Sequence, residues 1–153
     1  MAVPTILLQN NTTETATEFT LVNDQRPIIF NPSGVIMNTD SSLFVFQPIF
    51  GAVVVRPNSL SIFLIKFIVN SSTAGSQNIQ LKINTIPEVL IGQTLFTSDV
   101  GCQLSGSTVI QVSSDTAISI VNVSSTPIKL KNAGDVSIPP GLVNASFMIQ
   151  KIG

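Results

Sequence analysis

The 153-residue sequence predicts an all-β domain, a two-layer sandwich of eight to ten short strands for which a jelly roll is the common topology at this length. Three observations lead there. Short runs rich in Val, Ile and Phe recur between clusters of Gly, Pro, Asn and Ser from Pro27 onward. No segment carries a helix cap followed by apolar residues at helical spacing. One run, Leu60 to Val69, is apolar on both faces of any strand it forms, which calls for a covering layer on each side.

The elements follow in order. The peptide Val3 to Leu8 is apolar, and the polar run Gln9 to Glu18 behind it has the composition of a linker. Residues 1–24 are therefore expected to form a flexible connector, and residues 25–153 the domain. Two readings of the peptide stand: a frayed terminus, or a strand donated to a neighbouring subunit. Pro27 to Phe30 reads as a strand stopped by the turn Asn31-Pro32-Ser33-Gly34. Leu43 to Phe46 and Ala52 to Val55 end at Pro48 and at Arg56-Pro57-Asn58. Asn78 to Asn84 alternates, with Ile79, Leu81 and Ile83 on one side. Leu90 to Phe96 and Gln103 to Val112 come next, with Gly106 marking a bulge or a close approach. Thr116 to Val123, the short Pro127 to Leu130, and Val143 to Ile152 complete the set.

The run Leu60 to Val69 decides most. It is too short to span a bilayer, which takes roughly 20 apolar residues, and its β-branched and aromatic content favours a strand. Phe63, Ile65, Phe67 and Val69 then share one face, and Leu60, Ile62, Leu64 and Ile68 share the other with Lys66. An ammonium among apolar groups needs a partner or an exit to water. The face of Ile62, Leu64, Lys66 and Ile68 is therefore expected to meet other subunits rather than the core.

Composition narrows the function classes. Charged residues make up 10% and hydrophobic ones 44%, so part of the surface is expected to be covered by other copies. Seven Lys and Arg, scattered from Arg26 to Lys151, form no basic stripe, so nucleic acid is not an expected partner, nor is a membrane. The chain has no His, which removes Ser-His-Asp and Cys-His chemistry and the usual ligands of zinc and copper. The eight carboxylates fall mostly in turns or tails, and no two share a strand face; no cofactor or metal site and no enzymatic activity are expected. Cys102 is the only cysteine and reads as a small semi-buried residue, an intermolecular bridge being the alternative. Sequons at Asn10, Asn11, Asn70, Asn122 and Asn144 are discounted in a chain this rich in Asn, Ser and Thr. The first residues lack the charged and long apolar regions of a secretory signal, so an extracellular role is expected to use another route.

Ordered motifs add a resemblance. Ala52 to Ser72 resembles the "VxVPxxGxYxIxxxVNxS" stretch of C1q/TNF-like domains, and Leu81 to Pro87 resembles their "LxLNGxP" hairpin. Leu104 to Val112 is similar to "LSGSxIxxL", Asp115 to Ser125 to "DxISLVNNSG", and Val143 to Ile152 to "VNASLTIxKI". These are the patterns of domains that end the collagen-like glycoproteins of the bacterial spore exosporium. The resemblance runs from about Pro27 to Gly153 and is most specific in the last third. Ser61-Ile62-Phe63 stands where the family has Gly-x-Tyr, Thr85 where it has a turn Gly, and residues 1–24 carry no collagen-like Gly-x-y tract, so a head without a stalk is expected.

The resemblance implies a ten-strand jelly roll forming a homotrimer with one sheet of each copy around the threefold axis. The expected function is a structural, self-assembling subunit of a spore-surface fibre or appendage, without a stalk. Val3, Pro4, Ile6, Leu7 and Leu8 are the expected docking residues between trimers, because head-to-tail contacts of this kind propagate as a filament. Ile62, Leu64, Lys66 and Ile68 are the expected trimer interface. Partners are further copies of the chain and other spore-surface proteins. The alternative is a trimeric surface head that binds a receptor or glycan without forming fibres.

Overall fold

Alternating runs of Val, Ile and Phe become strands, and the strands stack as two antiparallel sheets. The structure is a computed structural model that describes residues 3–11, 21–71, 75–84, 89–97, 103–130 and 143–153. Its strands are β1 (Thr5–Asn11), β2 (Leu21–Val22), β3 (Val35–Asn38), β4 (Phe44–Gln47), β5 (Ala52–Val55), β6 (Ser61–Asn70), β7 (Gly75–Asn84), β8 (Val89–Thr97), β9 (Gln103–Val112), β10 (Thr116–Asn122), β11 (Ile128–Lys129) and β12 (Val143–Lys151). The front sheet has the order β3-β1-β12-β6-β9 and the back sheet β4-β5-β10-β7-β8, with β2 and β11 as a small separate ribbon. The ten strands of the two large sheets are the ten-strand jelly roll.

The core lies between the sheets. From the front come Ile6 and Leu8 of β1, Ala145, Phe147 and Ile149 of β12, and Phe63, Ile65, Phe67 and Val69 of β6. Val53, Val55, Ile118 and Ile120 answer them from the back. Phe44 of β4 meets Phe63 edge to face, their ring centres 6.2 Å apart, and Phe30 stacks on Phe147 at the same spacing. The period of two along β6 is therefore the expected one: Phe63, Ile65, Phe67 and Val69 point into the sandwich.

Gly106 resolves as a close approach. The β6–β9 ladder runs unbroken from Ser61↔Val112 to Asn70↔Gln103, so no bulge interrupts it. A Cβ at Gly106 would strike the Phe67 ring opposite.

Two expectations need correction, and one strand was not expected. Thr5–Asn11, inside the expected connector 1–24, form a strand of the domain: β1 lies between β3 and β12 and pairs with β12 along its whole length, from Thr5↔Gln150 to Asn11↔Val143, while residues 1–2 and 12–20 lie outside the described residues. The reason is alternation: Ile6 and Leu8 fall on one face, and the chain's own core takes them in. Val35 to Asn38 forms the edge strand β3, which its mixed Val-Ile-Met-Asn composition did not announce. Pro27 to Phe30 forms no strand: one bridge, Pro27↔Val121, and a hydrogen bond from the Ile28 amide to the Ile120 carbonyl (2.8 Å) hold it while Ile28 and Phe30 enter the core. Pro27 has no N–H with which to continue a ladder.

Candidate functional site

Pairing in register places one row of side chains from every front-sheet strand on the side away from the core. On β6 that row is Ile62, Leu64, Lys66 and Ile68. Val109 of β9 stands opposite Leu64, Met148 of β12 opposite Lys66, Leu7 of β1 opposite Met148, and Met37 of β3 opposite Leu7. Seven apolar side chains thus form a sheet-wide surface, with Ile68 39%, Met37 41% and Val109 56% exposed. Polar side chains take up the rest of the face, among them Ser105, Ser107 and Gln111 on β9, Ser146 and Gln150 on β12, and Thr5 and Gln9 on β1.

Lys66 is the only charge among the described residues of this face, flanked by Met148 and Ser107. The four predicted interface residues of β6 are thus brought together on one outward face. The five predicted docking residues divide. Ile6 and Leu8 are fully buried in the chain's own core, Leu7 lies half-buried on the outer face, and the Pro4 carbonyl accepts a hydrogen bond from the Lys151 amide (2.9 Å). Val3 is 45% exposed.

The remaining chemistry is sparse. Arg56 and Asp115 approach to 3.6 Å at an exposed surface, where such a pair contributes about 0–1 kcal/mol. Among the described residues no three His, Cys, Asp or Glu come together, and no helix is long and apolar enough to cross a membrane. Cys102, Thr85, Glu88, Asp99 and Asp135 lie outside the described residues.

Two buried asparagines were not anticipated as structural. Asn10 donates to the Ile29 carbonyl (2.8 Å) and accepts from the Asn31 amide (2.9 Å), which ties β1 to the segment crossing beside it. Asn122 donates to the carbonyls of Val22 and Thr126 (3.0 Å each) and accepts from the Ser124 amide (2.9 Å). Asn10, Asn122 and Asn144 are at most 1% exposed, so these three sequons are closed to a glycan in the folded chain. The readable signal was an Asn at the end of an apolar run, Leu7-Leu8-Gln9-Asn10 and Ile120-Val121-Asn122.

By sequence, no family model and no curated protein matches the chain. By structure it is similar to the globular domain of zebrafish complement 1qA protein, with a TM-score of 0.56 and 16% identity over 98% of this chain and 96% of that one. It is also similar to murine APRIL, in the crystal structure at pH 5.0, with a TM-score of 0.67 and 10% identity over 99% and 100% of the two chains. Eiger TNF from S. frugiperda gives a TM-score of 0.59 at 10% identity over 100% of this chain and 94% of that one. The fold is the C1q/TNF-like jelly roll.

Proposed function

We propose that the chain is a structural, self-assembling subunit: a homotrimer built through the outer face of the front sheet and set in a fibre or appendage on a bacterial spore surface. The apolar row of Ile62, Leu64, Ile68, Val109, Met148, Leu7 and Met37 carries the reading. Removing such surface from water is worth roughly 25 cal/mol per Å2, and three copies around an axis cover three faces at once. The order of the exosporium-type motifs supports the spore-surface location, with other spore-surface proteins as further partners.

Growth from trimer to fibre rests, in this reading, on residues 3–8. Because β1 already fills a slot in its own sheet, docking takes the form of strand exchange. β1 leaves β3 and β12, and the same strand of a neighbouring trimer enters in the same register. An identical strand refills the slot, so ladder and core packing are restored and the exchange costs little. Deleting the strand would remove part of the core, so a covalent lock is the better test.

Two experiments decide. The double variant Ile68→Asp/Val109→Asp is expected to be monomeric by light scattering with an unchanged circular dichroism spectrum; a persistent trimer overturns the interface. Gln9→Cys/Ser146→Cys, in a Cys102→Ser background, joins two directly opposed residues of β1 and β12. Opposed residues lie about 4.5–5.5 Å apart at Cα, within disulfide reach. Negative-stain images should show discrete particles when the bond is closed and fibres after reduction. Fibres built from locked chains refute strand exchange, and discrete particles from the unlocked protein favour the trimeric binding head instead.

A further inference from the structure

The back sheet carries a groove of about 690 Å3 that the assembly reading does not use. Its floor is a row in register across four strands, Gln47 on β4, Ala52 on β5, Ser119 on β10 and Lys82 on β7. Small side chains in the middle of the row make the depression, and bulky neighbours wall it. The short 3-10 turn Pro48–Phe50 adds Phe50, 64% exposed, to the lining. The segment before Ile28 adds Gln25 and Arg26.

That segment is held in place by the main chain. The Gln25 amide donates to the Asn122 carbonyl (2.7 Å), and the Asn122 amide donates to the Arg26 carbonyl (2.9 Å). Gln25 has φ +59°, the one non-glycine residue with positive φ among those described. Gly51, which ends the Phe50 turn at φ +58°, packs against the Ile28 carbonyl so closely that no Cβ fits. Both left-handed residues of the described chain thus belong to segments that line one groove. Glycine takes this conformation without strain, but a non-glycine such as Gln25 held there beside a concavity points to a function for it.

The lining has two cations, Arg26 and Lys82, and no carboxylate among the described residues. It adds neutral hydrogen-bonding groups from Gln25, Gln47 and Ser119, and an accessible aromatic ring. We infer that this groove binds a carboxylated sugar, as found in an acidic polysaccharide. The Arg26 guanidinium takes the carboxylate, the amides and hydroxyl take sugar hydroxyls, and Phe50 covers the apolar C–H face. An extended acidic peptide is the weaker occupant, because three of the four floor strands, β5, β10 and β7, are paired on both sides, and only β4, at the margin of the sheet, has an edge for strand addition. The groove lies on the sheet opposite the proposed trimer interface, so the two proposals stand or fall separately.

The test titrates the full chain at low salt with a galacturonic acid tetramer, followed by calorimetry and by saturation transfer from protein to sugar protons. Binding is expected to weaken at least about tenfold in Arg26→Gln and in Phe50→Ala, both of which alter exposed side chains and should leave the thermal melt unchanged. A neutral glucose tetramer should not bind. No binding of the acidic tetramer overturns the proposal, as does binding that both variants leave intact. Equal or tighter binding of penta-glutamate also overturns it, in favour of charge alone or of a peptide.

Discussion

The two sheets bury similar residues on their inner faces and differ on their outer ones. The front sheet turns Leu64, Ile68, Val109 and Met148 outward in a continuous apolar surface with a single charge among the described residues. The back sheet turns Ala52, Ala117 and Ser119 outward and is walled by exposed Phe50 and Arg26. A surface of the first kind suits an identical flat partner, and a recess of the second suits a small guest. The difference is written in strand composition: β6 is apolar at nearly every position, whereas β10 sets Ala117 and Ser119 between its large residues.

Adjacent residues of β6 separate the two kinds of face most strongly. Ile65 is fully buried in the sandwich, and Ile65→Ala should cost about 2–5 kcal/mol of folding stability. Leu64, one position away on the outer face, should change the melting of the isolated chain little when cut to Ala and instead raise the concentration at which trimers dissociate. Chemical denaturation beside sedimentation separates the two effects. If Leu64→Ala destabilises the isolated chain as much as Ile65→Ala does, the outer face is not an interface.

Asn122 tests the back sheet alone. Its side chain holds Val22, Thr126 and Ser124, and its main chain holds the wall that carries Gln25 and Arg26. Asn122→Ala leaves buried main-chain groups unpaired and should cost about 1–3 kcal/mol by denaturation. The oligomeric state should not change, since Asn122 belongs to the other sheet from β6 and β12.

What the sequence shows and hides divides along similar lines. The β6 faces and the β9 limits from Gln103 to Val112 were legible because these strands run for 10 residues each. β1 alternates too, yet the polar run after it made Ile6 and Leu8 read as docking residues carried on a tether. Composition cannot tell whether a short apolar strand pairs within its own chain or with another. The groove was not legible at all. It depends on the register that aligns Gln47, Ala52, Ser119 and Lys82, and register comes from long-range pairing.

Lys66 tests the front face at the level of one charge. On a solvent-facing sheet it is unremarkable, but covered by other copies it becomes an ammonium held among apolar groups. Replacing a covered charge by an apolar residue of similar length is often neutral or stabilising by about 1–4 kcal/mol. Lys66→Met should therefore strengthen the trimer, read as a lower dissociation concentration, and leave the monomer's melt unchanged. A weaker trimer would argue that Lys66 keeps a partner or reaches water at this face.

The smallest effect belongs to the turn that joins the two sheets at one edge, between β3 and β4. The Asp40 Oδ1 accepts from the Ser42 hydroxyl (2.6 Å) and from the amides of Ser42 and Leu43 (3.1 Å each). The Ser42 hydroxyl first, then the Leu43 amide, hold the Asp40 carboxyl below its ordinary pKa. A carboxylate depressed in the folded chain contributes stability that is fully present above its unfolded pKa, about 3.9, and is lost as pH falls through the lower folded value. The melting gap between wild type and Asp40→Ala should thus be small and constant at neutral pH and should close in acid below that range. Asp40→Asn, which keeps an acceptor oxygen without the charge, should lie between the two at neutral pH. A gap that stays constant into strong acid would mean that the turn depends on side-chain shape and not on the charged acceptor. The edge joining the two faces would then be insensitive to pH.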